Sequence, residues 1–224
     1  MLSIVIPVYN EEENLNSVIE ELLENIDTQS PYEIIFVDDS SDDNTFLNIK
    51  AINLQNNNIK ILRLARRSGS HIATKAGIDA SSGDKLLVIS GDGQEDPALI
   101  KDMISNIADG FDIVWGVRDV REENLFSRLV TKIFYKGLVR FTKNTTNYSV
   151  DISNADFYML GNKVINELKK TSLKNSSLFG LLAWVGFKQI SLPYKRRKRL
   201  NGNSKWGLKS KLSLAIDWYI SFSP

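Results

Sequence analysis

The chain has 224 residues, of which 42% are hydrophobic and 25% are charged, and its formal net charge is +1. This length suits one large domain or two small ones, and the composition is that of a globular protein and not of a disordered segment. The absence of cysteine excludes disulfides and thiolate metal sites, and the single histidine, His71, excludes a histidine-rich zinc site.

The small net charge conceals a strong asymmetry along the chain. Residues 1–50 contain twelve acids and one base, whereas residues 188–216 contain nine bases and no acid. Such a basic stretch indicates an anionic partner, such as phosphate, lipid headgroups or nucleic acid, with a solvated surface loop as the alternative interpretation. Gly202 and Trp206 within the stretch favour a binding site over a plain loop.

In chain order, strands alternate with helices through the first half of the sequence. The apolar run LSIVIPVY predicts a strand buried on both faces, and apolar residues at helical spacing from Leu15 to Ile26 predict a helix, with Asn10 and Glu13 as its capping box. YEIIFVDD and IKILRLA predict the next two strands, followed by a short helix through Ala73. DKLLVIS, the helix PALIKDMISNI and the strand DIVWGV complete the alternation. The pattern predicts one α/β domain with a mostly parallel sheet.

Polar side chains follow all five predicted strands. Each of them alone is explained as a helix cap or a turn residue, but ligands of open α/β sheets bind beyond the carboxyl ends of the strands, so five such ends favour a binding site. The sequence lacks the glycine-rich dinucleotide fingerprint after the first strand and the Gly-Lys-Ser/Thr loop of P-loop NTPases. The residues at the predicted strand ends are Tyr9, Asn10, Glu11, Asp38, Asp39, Arg66, Arg67, Ser90, Asp92, Gln94 and Arg118.

Four segments, SIVIPVYNEEENL, IIFVDDSSDDNT, ARRSGSHIATKAGIDASSGD and GDGQEDP, resemble in this order the family 2 inverting glycosyltransferases. WGVRDVRE, FSRLVTKIFY, NADFYML and RLNGNSKW resemble the branch that transfers a sugar to a polyprenyl phosphate, which includes the dolichol-phosphate mannose synthases. The similarity covers essentially the whole chain. It implies a GT-A type α/β fold and a single catalytic domain over residues 1–224, with a nucleotide-sugar-binding part at 1–120. The acceptor-binding part, 121–224, would end in a membrane-proximal helix.

The resemblance also implies a donor site. Pro7, Tyr9 and Glu11 would hold the nucleoside, with Tyr9 near the base and Glu11 on the ribose. Asp39 would bind the base edge or the ribose with support from Asp38, and Arg66 would complete the nucleotide-binding set.

A metal site is implied at GDGQ, where the family has an Asp-x-Asp-x-Gln ligand set for Mg²⁺ or Mn²⁺. Here Ser90 stands in place of the first aspartate, while Asp92 and Gln94 are retained. Mg²⁺ prefers octahedral oxygen coordination from one or two carboxylates, phosphates and water. We therefore expect a weaker site that depends on the diphosphate of the donor, with Ser90 acting at most through water.

Catalytic and acceptor residues follow from the same resemblance. Arg118 or Arg121 would add positive charge at the leaving group, and Asp156, near the reacting centre, would position the sugar or an arginine. Asp92, Asp156 and Arg118 form the expected catalytic set. A phosphate monoester is already anionic near neutral pH, so such an acceptor needs cations more than a strong base. The residues expected to bind the acceptor phosphate are Arg121, Arg128, Arg199, Ser204 and Lys205.

The expected partners are a nucleotide sugar, with family habit favouring a uridine donor, and a polyprenyl phosphate at the cytoplasmic face of the membrane. No nucleic-acid partner is expected, and a homo-oligomer is left open. The protein would be peripheral or anchored by helices beyond residue 224. One alternative is an enzyme of the same fold that uses a hydroxyl acceptor for polysaccharide or glycolipid synthesis. The other is a non-catalytic nucleotide-sugar-binding module, suggested by Ser90.

Overall fold

The structure is a computed structural model that describes residues 1–119, 155–171, 178, 181–182 and 186–199. The strands in these ranges are β1 (Leu2–Val8), β2 (Tyr32–Asp38), β3 (Ile59–Arg63), β4 (Lys85–Val88), β5 (Ile113–Arg118), β6 (Ala155–Gly161) and β7 (Gln189–Tyr194). The helices are α1 (Leu15–Asn25), α2 (Thr45–Gln55), α3 (Ser70–Ala80), α4 (Ile100–Ala108) and α5 (Asn162–Lys170), with a 3-10 turn (Pro97–Leu99) before α4. The strands form one sheet in the order β3-β2-β1-β4-β6-β5-β7.

β1 lies inside the sheet because its side chains are apolar on both faces. It pairs in parallel with β2 on one side and with β4 on the other. Successive side chains of a strand point to opposite faces. Ile4 and Ile6 accordingly belong to one buried cluster, whereas Val5 belongs to the other.

Helices cover both faces of the sheet. Buried side chains of α1, α2 and α4 join the first cluster, and those of α3 and α5 join the second. Leu15, Val18, Ile19 and Leu22 of α1 are buried, which confirms the apolar stripe predicted for this helix. The three layers confirm the predicted α/β class. Over the ranges that the structure describes, none of the helices is long and apolar enough to cross a membrane.

β6 runs against the direction of its neighbours. It pairs antiparallel with β4 and with β5, whereas the other four strand pairings are parallel. The prediction of a mostly parallel sheet is therefore confirmed. The sheet has two strands besides the five that the sequence analysis predicted: β6 lies between β4 and β5, and β7 lies at the edge beside β5.

The predicted capping box at Asn10 and Glu13 is wrong. α1 begins at Leu15, after Asn14, and no side chain caps its first turn. Asn10 instead has a φ of 54°, its backbone N–H donates to Ser41 Oγ at 2.9 Å, and its Oδ1 accepts from the backbone N–H of Asp42 at 2.9 Å. The backbone turn at Asn10 directs this residue away from α1. Asn10 therefore links the loop after β1 to the loop after β2 by hydrogen bonds.

Gly77, on the buried side of α3, allows this helix to approach β1 closely. A Cβ at Gly77 would lie 2.3 Å from Val5 Cγ1 and 3.1 Å from Val37 Cγ2. Alanine favours a helix over glycine by about 0.5–1 kcal/mol, but overpacking a core contact costs about 1–3 kcal/mol. We therefore expect Gly77→Ala to lower the free energy of unfolding, measured by urea denaturation.

Val5→Ala is the matched background for this test, because it removes the methyl groups that approach the new Cβ. In that background, Gly77→Ala should lower the free energy of unfolding by less, or should raise it through the helix propensity of alanine. An equal loss of unfolding free energy in both backgrounds would show that Val5 does not set the distance between α3 and β1.

Candidate active site

The loops after β1, β2 and β4 meet at one edge of the sheet because these three strands are parallel neighbours. The backbone N–H of Asp39 donates to Val8 O at 2.9 Å, so the end of β2 stays beside the end of β1. The N–H of Ile89 donates to Val5 O at 3.1 Å, which continues the pairing of β4 with β1. The residues predicted at these three strand ends are therefore brought together.

Tyr9 lies between an acid and an arginine. Its hydroxyl donates to Asp42 Oδ2 at 3.1 Å, and the guanidinium carbon of Arg67 lies 4.0 Å from the centre of its ring. Arg66, the arginine predicted to bind nucleotide, and Arg67 are both exposed, and Arg67 is the one that lies over the aromatic ring. Pro7 lies within β1, opposite Val37 of β2.

Asp38 and Asp39 organise the loops around them. Asp38 is fully buried; its Oδ1 accepts from the backbone N–H of Ser41 at 3.1 Å, and its Oδ2 faces Arg63 Nε at 3.3 Å. Asp39 accepts backbone hydrogen bonds from Ser68 at 2.6 Å and from Gly69 at 2.8 Å. Asp39 thus fixes the loop before α3, in which Gly69 has a φ of 93°.

The loop after β4 is organised around Asp92. Its Oδ1 accepts from Ser90 Oγ at 2.6 Å and from the backbone N–H of Gln94 at 3.2 Å. Gly93, between these partners, has a φ of 70°, which favours glycine at this turn. Ser90 therefore holds the Asp92 carboxylate in a defined orientation.

Glu95 is a buried acid in the same loop that the sequence analysis did not select. Its side-chain Oε2 lies 2.5 Å from Ser90 Oγ, so two carboxylates share one hydroxyl group. Burial, together with the nearby charge of Asp92, raises the pKa of Glu95 to about 7. Its position directly after Gln94, in an otherwise acidic turn, was the available signal in the sequence.

Residues 195–199, which follow β7 and which we call the arginine segment, dock on this loop. The backbone N–H of Arg197 donates to Gln94 O at 2.9 Å, and Gln94 Nε2 donates to Arg197 O at 3.3 Å. The Arg197 guanidinium reaches Glu21 Oε2 at 2.6 Å and Glu95 O at 2.8 Å. Arg196 donates from Nη2 to Gln94 Oε1 at 2.6 Å. Neither Arg196 nor Arg197 was selected from the sequence.

Arg199 joins the loop after β1 to the loop after β4. Its Nη2 forms an ion pair with Glu11 Oε1, and its Nη1 lies 3.7 Å from Asp92 Oδ2. Glu11 is held in turn by the Asn14 side-chain amide, which donates to Oε2 at 2.7 Å. Glu11 and Asp92, predicted for the ribose and the metal, thus face one guanidinium, which was predicted for the acceptor phosphate.

A second cluster forms around Asp156 of β6. Tyr194 of β7 donates its hydroxyl to Asp156 Oδ2 at 2.5 Å, and Arg118 Nε of β5 lies 2.6 Å from the same oxygen. Arg196 Nη1 lies 3.6 Å from Oδ1. Burial and the charge of Asp156 raise the pKa of the Tyr194 hydroxyl. Arg196 therefore connects Asp156 with Gln94.

Four predicted acceptor residues, Arg121, Arg128, Ser204 and Lys205, lie outside the described residues. Within the described part of the chain, no group of three or more His, Asp or Glu side chains is arranged to hold a metal ion. Asp92 and Gln94 stay the predicted metal ligands.

Comparisons with known proteins match the chain over most of its length. The sequence model of the family described as Glycosyl transferase family 2 matches residues 3–168. An uncharacterized glycosyltransferase of Bacillus subtilis is 36% identical over 223 residues, covering 99% of this chain and 68% of the relative. A prophage bactoprenol glucosyl transferase homolog of Escherichia coli is 29% identical over 224 residues, covering 99% of this chain and 72% of the relative.

A solved structure of glucosyl-3-phosphoglycerate synthase from Mycobacterium tuberculosis, in complex with Mg²⁺ and UDP, has a similar fold. The TM-score is 0.67 at 16% sequence identity, and the match covers 96% of this chain and 75% of that one. This likeness confirms the predicted GT-A type α/β fold.

Glu95 makes the stability of the protein depend on pH. Because its pKa is raised in the folded protein, the folded state binds a proton that the unfolded state has released above about pH 4.5. The contribution of this proton to the free energy of unfolding is complete below that pH and is lost as the pH rises through about 7. Glu95→Gln cannot ionise. Between pH 4.5 and 8, its free energy of unfolding should therefore rise by roughly 1–3 kcal/mol relative to that of the parent, measured by urea denaturation at each pH.

Glu24→Gln, the same change at an exposed carboxylate of α1, is the control for Glu95→Gln. If the difference in unfolding free energy between Glu95→Gln and the parent does not grow with pH, the pKa of Glu95 is not raised in the folded protein.

Proposed function

Because the chain belongs to glycosyl transferase family 2, we propose that it is an inverting glycosyltransferase that moves a sugar from a nucleotide sugar to a polyprenyl phosphate. The observation that carries this proposal is the contact of the loop after β4 with the arginine segment. Asp92 and Gln94 supply oxygens for a metal ion, while Arg196 and Arg199 bring guanidinium groups to the same edge of the sheet. A diphosphate leaving group and a phosphate acceptor require such a combination.

The nucleoside of the donor is proposed to bind beyond β1 and β2. The Tyr9 ring and the Arg67 guanidinium offer flat surfaces on which a base can stack. Asp39 orders the loop before α3 and is a candidate for the base edge or the ribose, and Glu11 is a candidate for the ribose. The UDP in the solved Mycobacterium tuberculosis relative supports a uridine donor.

The oxygens of Asp92 and Gln94 fit a Mg²⁺ or Mn²⁺ ion that the donor diphosphate completes. A carboxylate and an amide carbonyl are hard oxygen ligands, and such ions keep several positions for phosphate and water. Asp92 Oδ2 has an arginine only at 3.7 Å, so this oxygen is the more accessible ligand atom. Ser90, bonded to Asp92 and Glu95, orients the carboxylate. When bound, the ion would supply Lewis acidity at the diphosphate.

The environment of Asp156 supports a phosphate acceptor over a hydroxyl acceptor. A hydroxyl must lose a proton to a base, whereas a phosphate monoester attacks as an oxyanion. Asp156 contacts Arg118, Arg196 and Tyr194, which suits a residue that positions arginines and not one that removes protons. Arg118 is then held where positive charge can face the leaving group.

The acceptor is proposed to approach from the basic part of the chain. Arg199 and the residues Arg121, Arg128, Ser204 and Lys205 are the candidates for its phosphate, and basic residues of this kind also favour an anionic membrane surface. The Escherichia coli relative is named for bactoprenol, a polyprenyl lipid, which supports the same acceptor class.

The function is tested by incubating the protein with a panel of nucleotide sugars, Mg²⁺ and a short polyprenyl phosphate. We expect one sugar to appear on the lipid, through a phosphodiester of inverted anomeric configuration, identified by mass spectrometry and NMR. A matched polyprenyl alcohol should give no product. Transfer to the alcohol, or donor binding without transfer to any acceptor, would contradict the proposal.

Asp92 should be required for metal-dependent turnover. Asp92→Asn keeps the shape of the side chain but removes its charge, and we expect transfer to fall by about 100-fold or more. Ser90→Asp, which adds a carboxylate beside Asp92, should tighten Mn²⁺ binding in the absence of nucleotide, measured by electron paramagnetic resonance. Asp102→Asn on α4 is the control. Undiminished turnover in excess chelator would exclude the metal role of Asp92.

A further inference from the structure

Two arginines of the arginine segment contact the same side chains that the metal site requires. Arg196 donates to Gln94 Oε1 at 2.6 Å, and Arg199 lies 3.7 Å from Asp92 Oδ2 while it pairs with Glu11. We propose that these two guanidinium groups occupy the metal and diphosphate position of the donor-free protein, and that the metal–nucleotide complex must displace them to bind. This inference rests on the proposed donor site.

The arginine segment is held in place by contacts that do not involve the proposed metal ligand atoms. Arg197 and Gln94 exchange two hydrogen bonds through their backbone and amide groups, at 2.9 and 3.3 Å. Arg197 also pairs with Glu21 of α1 at 2.6 Å. Arg196 and Arg199, on either side of Arg197, are therefore presented to the loop after β4 by a docked backbone.

The two guanidinium groups oppose a divalent ion at these oxygens in different ways. Mg²⁺ contacts its ligands at about 2.0–2.1 Å and requires near-octahedral geometry. The Arg196 guanidinium covers Gln94 Oε1 through a hydrogen bond of 2.6 Å, whereas the Arg199 guanidinium, 3.7 Å from Asp92 Oδ2, repels the ion by its charge. The side chains of Arg199, Glu11 and Asp92 are only 15%, 10% and 15% exposed, so their interaction is weakly screened. Metal alone must then replace a partly buried ion pair.

The donor relieves this conflict because it brings anionic oxygens together with the ion. Arginine binds phosphate through a planar fork of N–H groups. Arg196 and Arg199 can therefore exchange Gln94, Asp92 and Glu11 for phosphate oxygens. The exchange frees Asp92 and Gln94 for the ion. It places Arg199 on the donor diphosphate, whereas the resemblance implies the acceptor phosphate for this residue. Metal and nucleotide are thus expected to bind as a unit.

The test is a Mn²⁺ titration of the donor-free protein followed by electron paramagnetic resonance. Arg199→Ala should bind Mn²⁺ about 5- to 100-fold more tightly than the parent, the range typical of coupling between competing ligands. Arg196→Ala should also bind more tightly, and it provides a second variant if Arg199→Ala does not fold, as judged by circular dichroism. Lys198→Ala is the matched control, because it removes one positive charge from the same segment without removing a guanidinium from Asp92 or Gln94.

Adding UDP separates this inference from the proposed function. UDP should tighten Mn²⁺ binding in the parent, and it should reduce the advantage of Arg199→Ala, since that variant lacks a guanidinium for the diphosphate. One outcome would show that the inference is wrong while the donor site stands. In it, UDP tightens Mn²⁺ binding in the parent, but without UDP neither arginine variant binds Mn²⁺ more tightly than Lys198→Ala does. If Mn²⁺ binds none of these proteins with UDP present, both the metal site and the inference are wrong.

Discussion

The parallel pairing of β1 with both β2 and β4 is the constraint on which the site depends. It carries the ends of three strands to one edge, so that loops far apart in sequence face each other. The pairing requires β1 to be apolar on both faces, since helices cover both sides of the sheet. The polar groups of the site can therefore begin only where β1 ends, at Tyr9.

Much of the fold could be predicted because long apolar runs have few stable arrangements in a globular domain. The five predicted strands are present, with ends that differ by one or two residues, as for β1, which ends at Val8 and not at Tyr9. β6 was missed although its FYML run is buried. The sequence does not show that this strand lies antiparallel between β4 and β5, because a single apolar run reveals neither its direction nor its neighbours. α2 was also missed, because its apolar residues do not form a stripe and Leu47 and Leu54 remain exposed.

The site was predictable in its residue types and less so in its contacts. The sequence indicated Asp39, Asp92 and Gln94 because they follow strand ends, where ligands of such sheets bind. It could not indicate that Arg196 contacts Gln94, because this pair is separated by 102 positions and depends on where β7 enters the sheet. Glu95 was overlooked for a related reason: the acidic turn in the sequence does not show which of its acids is buried, and the burial of Glu95 beside Ser90 follows from packing.

The separation between Arg197 and Glu21, 176 positions along the chain, also bears on how the protein folds. Contacts between distant parts of a chain form slowly, because closing a long loop costs entropy before the contact is made. β1, β2 and β4 are synthesised early and can associate while the rest of the chain is still being made. The loop after β4 must wait for residues 195–199, so a nascent chain would hold the β1, β2 and β4 part of the sheet before it holds a completed site.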